Sequence, residues 1–188
     1  EKALIKLARD SGFNKEALTR VEPRVKEFSF SSQRKMMSIV RKTTQQRLVS
    51  YVKGSPEIIL QRCRKELISG KVIELTHERR MHLKREFELM ASQALRVLAF
   101  AYKFLPLYKE NEIKEEKAEY GLIFVGFQGM FDTPREEVKE SIEKCEKAGI
   151  IVKMLTGDSL ITAKAVAKQI SLKGNAVEGR QIKNMSDS

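Results

Sequence analysis

The stretch Tyr51-Val52-Lys53-Gly54-Ser55-Pro56-Glu57 joins a β-favouring run to an apolar pattern that is typical of a helix. Ser55 can serve as N-cap and Pro56 as the first helical residue, so the stretch predicts a sharp turn that opens a helix. Lys53 and free backbone N–H groups would then face one small volume, which suits a phosphate or the edge of a nucleotide. A plain strand-to-helix turn with a solvated lysine is the alternative interpretation.

An antiparallel meander is predicted on the N-terminal side of this turn, with strands at residues 21–30, 36–42 and 48–53. Between its first two strands, the sequence interleaves aromatic, basic and methionine side chains. Phe30 and Met37 could sandwich a flat base while Lys35 meets a phosphate or a ring nitrogen. In the alternative interpretation, Phe30 and Met37 are core residues.

Composition predicts a folded chain of one to two domains, because 41% of its 188 residues are hydrophobic and 32% are charged. A formal charge of +11 favours anionic partners, which include nucleic acid, anionic membrane surfaces and nucleotide phosphates. The arginines are scattered among glutamates, as on a solvated surface, so a dedicated nucleic-acid arm is not expected. No apolar run approaches the roughly 20 residues that span a bilayer.

The two cysteines and two histidines give no sign of a metal site. Cys63 and Cys145 lack metal-ligand spacing, and each falls in a helical pattern that can bury it, so both are predicted to be reduced core residues of a cytosolic protein. His77 and His82 are not at metal-ligand spacing either. Because the chain lacks an initiating methionine and begins inside a helical pattern, an excised piece of a longer protein is expected.

Helices and strands alternate through the rest of the first two thirds of the chain. Helices are predicted at residues 1–11 and after Thr76, the second with an apolar stripe of Leu83, Phe87, Met90, Ala91 and Ala94. Residues 95–102 read as a buried strand in which Arg96 needs a phosphate or a carboxylate as partner. Residues 109–119 are predicted to be a surface loop or a short solvated helix, and residues 122–128 a strand.

The chain changes character at residue 129. Thr133, Pro134 and Glu136 predict a capping-box start to a helix, and residues 150–155 predict a parallel strand buried on both faces. The loop Thr156-Gly157-Asp158 would then lie at the carboxyl end of that strand, where ligands bind in open α/β sheets. Its hydroxyl and carboxylate could hold a phosphoryl group and its Mg²⁺. Alternatively, Asp158 or Ser159 is simply the N-cap of the next helix.

Six motifs follow one another in a fixed order: EKAL from Glu1, FSFSSQRKMMSIV from Phe28, VKGSPE from Val52, LRVLAFAYK from Leu95, GMFDTPREEV from Gly129 and VKMLTGDSLITAKAVA from Val152. Over nearly the whole chain, this order resembles the ATP-binding region of P-type cation-transporting ATPases. The motifs are similar to the type II pumps, and above all to the calcium-transporting branch with its bacterial members. Heavy-metal pumps are a poorer match, because their nucleotide-binding domain lacks KGSPE and FSFSSQRK.

The resemblance implies a role for each matching residue. Phe30 would stack on adenine, Glu1 and Met37 would line the base pocket, Lys35, Lys53 and Gly54 would close around the nucleotide, and Arg96 would contact its phosphates. Asp132 and Arg135 would sit in a hinge, and Thr156, Gly157 and Asp158 beside the phosphorylation site. Ser55 stands where the family often has alanine. The implied cofactors are ATP and Mg²⁺, with the Mg²⁺ site incomplete in this piece.

The implied fold is α/β. It comprises an α+β nucleotide-binding domain at residues 1–128, with an antiparallel sheet flanked by helices, and part of a dehalogenase-like α/β phosphorylation domain at residues 129–188, with a hinge near 129–135. The parent would be an ATP-driven pump, a hydrolase and translocase, whose cation is calcium by resemblance. Its partners would be ATP and the other pump domains, and the piece itself would be soluble at the cytoplasmic face of the membrane.

Two family features are missing from the sequence: the aspartate nucleophile of DKTGT and the GDGxND motif that helps to bind Mg²⁺. Because phosphoryl transfer needs an acceptor and a metal in line with the γ-phosphate, the piece is expected to bind nucleotide without forming a phosphoenzyme. Two other classes remain open. One is a basic nucleic-acid-binding protein, and the other is a free-standing dehalogenase-like phosphatase, against which the missing aspartate argues.

Overall fold

A computed structural model of the chain describes residues 2–107, 110–131 and 135–182. The chain divides into two compact units, one made of Glu1–Lys84 and Leu98–Gln128 and the other of Arg85–Val97 and Gly129–Ser188. Within the described ranges, no helix is both long enough and apolar enough to cross a bilayer.

The described residues form seven strands and eight α-helices. The strands are β1 (Arg24–Ser31), β2 (Met36–Lys42), β3 (Leu48–Gly54), β4 (Cys63–Ile68), β5 (Lys71–Glu74), β6 (Leu95–Leu105) and β7 (Leu122–Phe131). The helices are α1 (Lys2–Asp10), α2 (Lys15–Val21), α3 (Pro56–Arg62), α4 (His77–Ser92), α5 (Glu115–Glu119), α6 (Glu137–Lys147), α7 (Leu160–Gln169) and α8 (Gly179–Ile182). A 3₁₀ turn occupies Glu110–Glu112.

The strands form one sheet in the order β1-β2-β3-β6-β7-β4-β5. The predicted meander is confirmed, since β1, β2 and β3 pair antiparallel in sequence, and β3 pairs antiparallel with β6. The predicted antiparallel sheet is therefore found in these four strands, and the sheet as a whole is mixed, because β4 pairs with β7 in parallel. The parallel pair follows from the connection between β3 and β4. Helix α3 carries the chain from β3 to the far side of the sheet, where β4 and β5 form, and β6 and β7 later fill the space between β3 and β4.

One face of the meander is closed and the other is open. Met36, Ser38 and Val40 alternate along β2 as fully buried residues, while the side chains between them are only half-buried. This period of two is what a sheet with one core face produces. On the closed face, a cluster of Val40, Leu48, Leu105, Ile113 and Ala118 forms the core.

The amphipathic helix predicted after Thr76 is confirmed as α4. The hydroxyl of Thr76 accepts a hydrogen bond from the Arg79 backbone N–H at 3.1 Å, which caps the first turn. Four of the five stripe residues are at most 4% exposed, namely Leu83, Phe87, Ala91 and Ala94.

The hairpin of β4 and β5 lies where no strand was predicted. Cys63 begins β4 and is buried as a free thiol, so the expectation that it sits in a helix is wrong, although its burial is confirmed. Ser69 and Gly70 connect the two strands, and both have positive φ, of 48° and 79°. Two successive positive φ values are the signature of a tight hairpin turn, and a Ser-Gly pair supplies them.

In the second unit, the two helices predicted around residue 150 are found as α6 and α7. The strand predicted at residues 150–155 is wrong: the segment has no regular structure, and Ile151 and Leu155 are 83% and 93% exposed. None of the described residues pairs with this segment, and an isolated strand leaves its backbone groups to water. The apolar run alone was not sufficient to form a strand.

Residues 109–119 also differ from expectation. The described part of this stretch ends in α5, whose last residue, Glu119, has 0% exposure. The prediction of a solvated segment is therefore wrong at its C-terminal end. A buried carboxylate needs hydrogen-bond donors around it, and these come from far along the chain.

Candidate functional site

The turn between β1 and β2 and the corner after β3 are joined directly. The backbone N–H of Ser55 donates to the carbonyl oxygen of Lys35 at 2.9 Å, and Gly54 pairs with Met36 at the end of the β2–β3 ladder. Two motifs that lie some twenty residues apart in the sequence thus form one continuous surface. The sequence predicted that they converge, and this backbone contact brings them together.

The β1–β2 turn itself is tightly held. Ser31 accepts two hydrogen bonds from residues of the turn. Its carbonyl oxygen accepts from the Lys35 N–H at 2.8 Å, and its hydroxyl accepts from the Arg34 N–H at 3.2 Å. Lys35 has φ of 53°, in the left-handed region that non-glycine residues rarely adopt. The side chain of Lys35 therefore leaves the turn from a fixed backbone position.

Met37 and Lys53 stand opposite each other on β2 and β3, and both are half-buried. Directly opposed residues of an antiparallel pair point to the same face, with Cβ atoms about 5 Å apart. Lys53 is also opposite Phe100 of β6. A thioether, an ammonium group and an aromatic ring thus adjoin on the open face of the sheet.

Phe30 lies near the end of β1 and is 62% exposed, so the alternative that it is a core residue is excluded. The register places it level with Met37 and Lys53, because Phe28 pairs with Ser38 and Ser31 with Met36. Two strand spacings separate β1 from β3, which puts the backbones of Phe30 and Lys53 roughly 10 Å apart. They lie at the same end of the sheet.

The corner offers an anion fewer backbone donors than the sequence predicted. The Ser55 N–H is already bonded to Lys35, and Pro56 has no N–H. Ser55 occupies the N-cap position of α3, but its side chain makes no cap bond; its hydroxyl donates instead to the Glu57 carboxylate. Any attraction of this corner for a phosphate must therefore come mainly from side chains.

A shallow cavity of about 500 Å³ lies further along the sheet, around Tyr51, Tyr102 and Phe104. Burial raises the pKa of Tyr51, and the neighbouring carboxylate of Glu22, 3.3 Å from its hydroxyl, adds to the shift. Phe30, Lys35, Met37 and Lys53 do not line this cavity. The predicted nucleotide residues lie instead at the ends of the strands.

In the second unit, Arg96 and Asp158 are brought together. The guanidinium of Arg96 lies 3.8 Å from the carboxylate of Asp158, so the predicted carboxylate partner of Arg96 is found. Arg96 is nevertheless 66% exposed, and the expectation that its charge is buried is wrong. Strand β6 begins at Leu95, where its end is open to water.

The Thr156-Gly157-Asp158 loop is an exposed bend. The Thr156 hydroxyl donates to the Asp158 carboxylate at 3.0 Å and accepts from the Asp158 backbone N–H at 3.1 Å. Ser159, not Asp158, is the N-cap of α7, since its hydroxyl accepts from the Thr162 N–H. The carboxylate of Asp158 is therefore not consumed by capping.

Three predicted site residues remain. Glu1 and Asp132 lie outside the described residues. Arg135 is exposed two residues before the start of α6, and its carbonyl oxygen accepts from the Val138 N–H at 3.1 Å. Within the described part of the chain, no three His, Cys, Asp or Glu side chains are grouped to hold a metal ion.

One charged cluster beside the β1–β2 turn was not predicted. The buried carboxylate of Glu119 is bonded by Arg34 and Ser38 and approached by Arg62. Its only sequence signal was the pair of apolar residues Ile113 and Ala118 within a charge-dense stretch, both of which prove to be buried. Nothing in the local pattern pointed to the distant arginines.

The mixed seven-stranded sheet with its flanking helices is consistent with an α/β nucleotide-binding domain. Residues 1–137 match the family model described as P-type ATPase, cytoplasmic domain N. The match covers well over half of the chain, which therefore belongs to the P-type ATPase family.

Curated relatives extend over almost the entire chain. It is 34% identical to the calcium-transporting ATPase of Bacillus subtilis over 99% of its length, and 38% identical to calcium-transporting ATPase 1 of Bacillus cereus over 97%. It is also 35% identical to the sodium/potassium exporting P-type ATPase cta3 of Schizosaccharomyces pombe over 92%. The chain spans 21% of the length of each Bacillus relative and 16% of the yeast one.

Proposed function

We propose that this chain is the ATP-binding part of a P-type pump that couples ATP hydrolysis, through an aspartyl-phosphate, to cation transport. The observation that carries the proposal is the hydrogen bond from Ser55 to Lys35, which joins the two lysine-bearing segments at one end of the sheet. Calcium is the proposed cation, following the names of the Bacillus relatives. A covalent intermediate divides one difficult hydrolysis into two easier steps.

Each residue of the strand-end surface suits one part of the nucleotide. Phe30 is exposed, so its ring face is available for stacking on adenine. The thioether of Met37 is polarisable and adapts to a flat ring, next to Lys53 on the neighbouring strand. Lys35 and Lys53 supply compact positive charges for the phosphates. Gly54 allows the two segments to approach closely, and Glu1 is proposed to line the base pocket.

The second unit is proposed to serve the phosphates and the metal. Arg96 would contact the phosphate chain in place of Asp158, and Asp132 and Arg135 would lie at the hinge. Thr156 and Asp158 offer a hydroxyl and a carboxylate within hydrogen-bond distance of each other. Mg²⁺ prefers six oxygen ligands and keeps several waters, so these two groups fit part of its shell beside a phosphorylated residue. When bound, Mg²⁺ would neutralise charge on the phosphates.

The proposed domains are a nucleotide-binding domain at residues 1–128 and part of a phosphorylation domain at residues 129–188. The two compact units differ from this division in assigning Arg85–Val97 to the second unit. In the proposed pump, partners of the chain are the other pump domains, on the cytoplasmic side of the membrane.

Calorimetric titration with ATP tests the proposal. Loss of a stacking ring costs about 1–3 kcal/mol per base, so Phe30→Ala should weaken ATP binding about tenfold. Lys53→Ala should weaken it through loss of charge on the phosphates. Phe13→Ala is the matched control, because Phe13 is 59% exposed and lies between α1 and α2. Unchanged affinity in both Phe30→Ala and Lys53→Ala would remove the assignment.

The same protein can be used to distinguish the proposed function from the alternative that the chain is a basic nucleic-acid-binding protein. Binding to phosphate backbones weakens steeply with salt and tolerates any sequence. Binding of duplex DNA with that salt dependence, together with an ATP affinity that is unchanged by Phe30→Ala, would identify the chain as a basic nucleic-acid-binding protein. ATP binding that depends on Phe30 favours the pump.

A further inference from the structure

Glu119 is a fully buried carboxylate with donors on both of its oxygens. Its Oε1 accepts from Arg34 Nη1 at 2.8 Å and from the Ser38 hydroxyl at 2.7 Å. Its Oε2 accepts from Arg62 Nη1 at 3.4 Å. Arg34 and Arg62 are themselves only 17% and 19% exposed. The cluster is therefore an internal ion-pair network and not a surface salt bridge.

Arg34 connects this network to the residue beside Phe30. It lies in the β1–β2 turn, and while Nη1 bonds to Glu119, Nη2 donates to the backbone carbonyl oxygen of Ser29. A guanidinium is planar and presents its donors in a rigid fork, so both bonds fix one orientation. The carbonyl that directly precedes Phe30 is thus tied to a buried group, and Lys35 directly follows Arg34.

Arg62 connects the same carboxylate to the other segment. It is the last residue of α3, the helix that starts immediately after the Lys53-Gly54-Ser55 corner, and its guanidinium lies 4.3 Å from the ring centre of Tyr120. The end of α5 is fixed in turn by Lys103, whose Nζ donates to the carbonyl oxygens of Lys117 and Tyr120 at 3.1 and 2.7 Å. Glu119 therefore has a rigid support.

Buried ion pairs contribute little net stability compared with apolar packing, because desolvation offsets their attraction. What such a network supplies is a defined geometry. Here one arm ends beside Phe30 and Lys35, and the other ends at the last residue of the helix that follows the Lys53 corner. We propose that Glu119 is a positioning residue for nucleotide binding: through Arg34 it holds Phe30 and Lys35, and through Arg62 it holds the helix behind Lys53. This role rests on the proposed function.

Calorimetric titration of the full chain with ATP tests the role, comparing Glu119→Gln with a matched control. Glu66 is also a buried carboxylate, 3% exposed, and its partner Arg79 lies 3.1 Å away in α4, outside the nucleotide surface. Glu119→Gln should weaken ATP binding roughly tenfold, the same size as the loss expected when the Phe30 ring is removed. Glu66→Gln should leave the affinity unchanged, although both substitutions lower the melting temperature.

A double-mutant cycle distinguishes positioning from general loss of structure. If Glu119 acts by holding the ring of Phe30, Glu119→Gln should have a smaller effect in the Phe30→Ala background than in the wild type. A substitution that only destabilises the chain would lower affinity by the same factor in both backgrounds. Equal factors would overturn the positioning role.

Arg34→Lys provides the test should Glu119→Gln not fold. It leaves Glu119 with Arg62 and Ser38 and keeps the charge, but an ammonium does not reproduce the planar fork that reaches both Glu119 and Ser29. Weaker ATP binding by Arg34→Lys supports the role, and wild-type affinity overturns it.

If the wild type fails to bind ATP, or binds it independently of Phe30, the proposed function fails. If ATP binding needs Phe30 but Glu119→Gln behaves as Glu66→Gln does, only the positioning role fails.

Discussion

A Cβ atom at Gly54 would lie 2.6 Å from the carbonyl oxygen of Lys35. It would also lie 2.6 Å from the Cβ of Met36 and 2.8 Å from its Cα. These are atoms of the neighbouring strand itself, which cannot swing aside as the tip of a long side chain can. Glycine is therefore required at this corner for its lack of a side chain, and the join between the two segments depends on it.

Gly54→Ala should lower the free energy of unfolding by about 1–3 kcal/mol, the usual cost of overpacking, because the β2–β3 ladder must open to admit a methyl group. ATP affinity should fall with it. Gly126→Ala in β7 is the control, since a Cβ there meets no atom within 4 Å. Urea unfolding monitored by circular dichroism measures the free energy of unfolding of both variants. Equal stabilities of the two variants would contradict the close approach.

Ser55→Ala should change the free energy of unfolding by less than about 0.5 kcal/mol, because the Ser55 hydroxyl makes no cap bond in α3. Thr76→Ala, by contrast, should cost about 1 kcal/mol, since it removes the bond that Thr76 makes to the Arg79 N–H. The same urea titrations compare the two. A larger loss for Ser55→Ala than for Thr76→Ala would show that Ser55 does cap its helix.

The two cysteines should react very differently with iodoacetamide at pH 8. Burial raises the pKa of Cys63 from 9.0 to about 12, and the side chain is 1% exposed, so its reactive thiolate is scarce and inaccessible. Cys145 on α6 is partly exposed. Peptide mass spectrometry should find label at Cys145 in the native chain and at both positions in urea. Native labelling of Cys63 would contradict its burial.

The raised pKa of Cys63 also gives a pH dependence of stability. A thiol whose pKa is higher in the folded chain contributes stability that is complete below about pH 9 and is lost as the pH rises toward about 12. The difference in free energy of unfolding between the wild type and Cys63→Ala should therefore shrink over this range. Urea titrations at pH 8, 9 and 10 measure it, and a constant difference would contradict the shift.

Arg96 should matter for nucleotide binding and not for folding. Its pair with Asp158 spans 3.8 Å between a 66% exposed and a 34% exposed side chain, and such surface pairs contribute about 0–1 kcal/mol. Asp158→Asn should therefore leave the melting temperature nearly unchanged. Arg96→Ala should do the same while weakening ATP binding in calorimetry. A large stability loss in either variant would give the pair a structural role.

Sequence patterns predicted the parts of the fold that depend on near neighbours. The alternation along β2 and the stripe of α4 correspond to the buried faces found for Met36, Val40, Leu83 and Phe87. The hairpin of β4 and β5 was missed because charged residues mask its alternation, although Ser69-Gly70 was a usable turn signal.

Features that depend on distant partners were not predictable in this way. An apolar run at residues 150–155 indicates a buried strand only if another strand pairs with it, and none of the described residues does. Glu119 appears solvated in the sequence because its donors Arg34 and Arg62 lie 85 and 57 residues away. Its burial is a property of the tertiary structure and not of any window of sequence.

The position of β7 between β6 and β4 has a consequence for how the chain is made. Among the described strands of this sheet, β7 comes last in the sequence, yet it is the one that links the β4–β5 hairpin to the meander. Until it emerges, the nascent chain can hold the local hairpins but not one continuous sheet. Long-range closure of this kind slows folding, so exposed strand edges must persist during synthesis. The seven strands can therefore join into one sheet only after residues 122–131 have been synthesised.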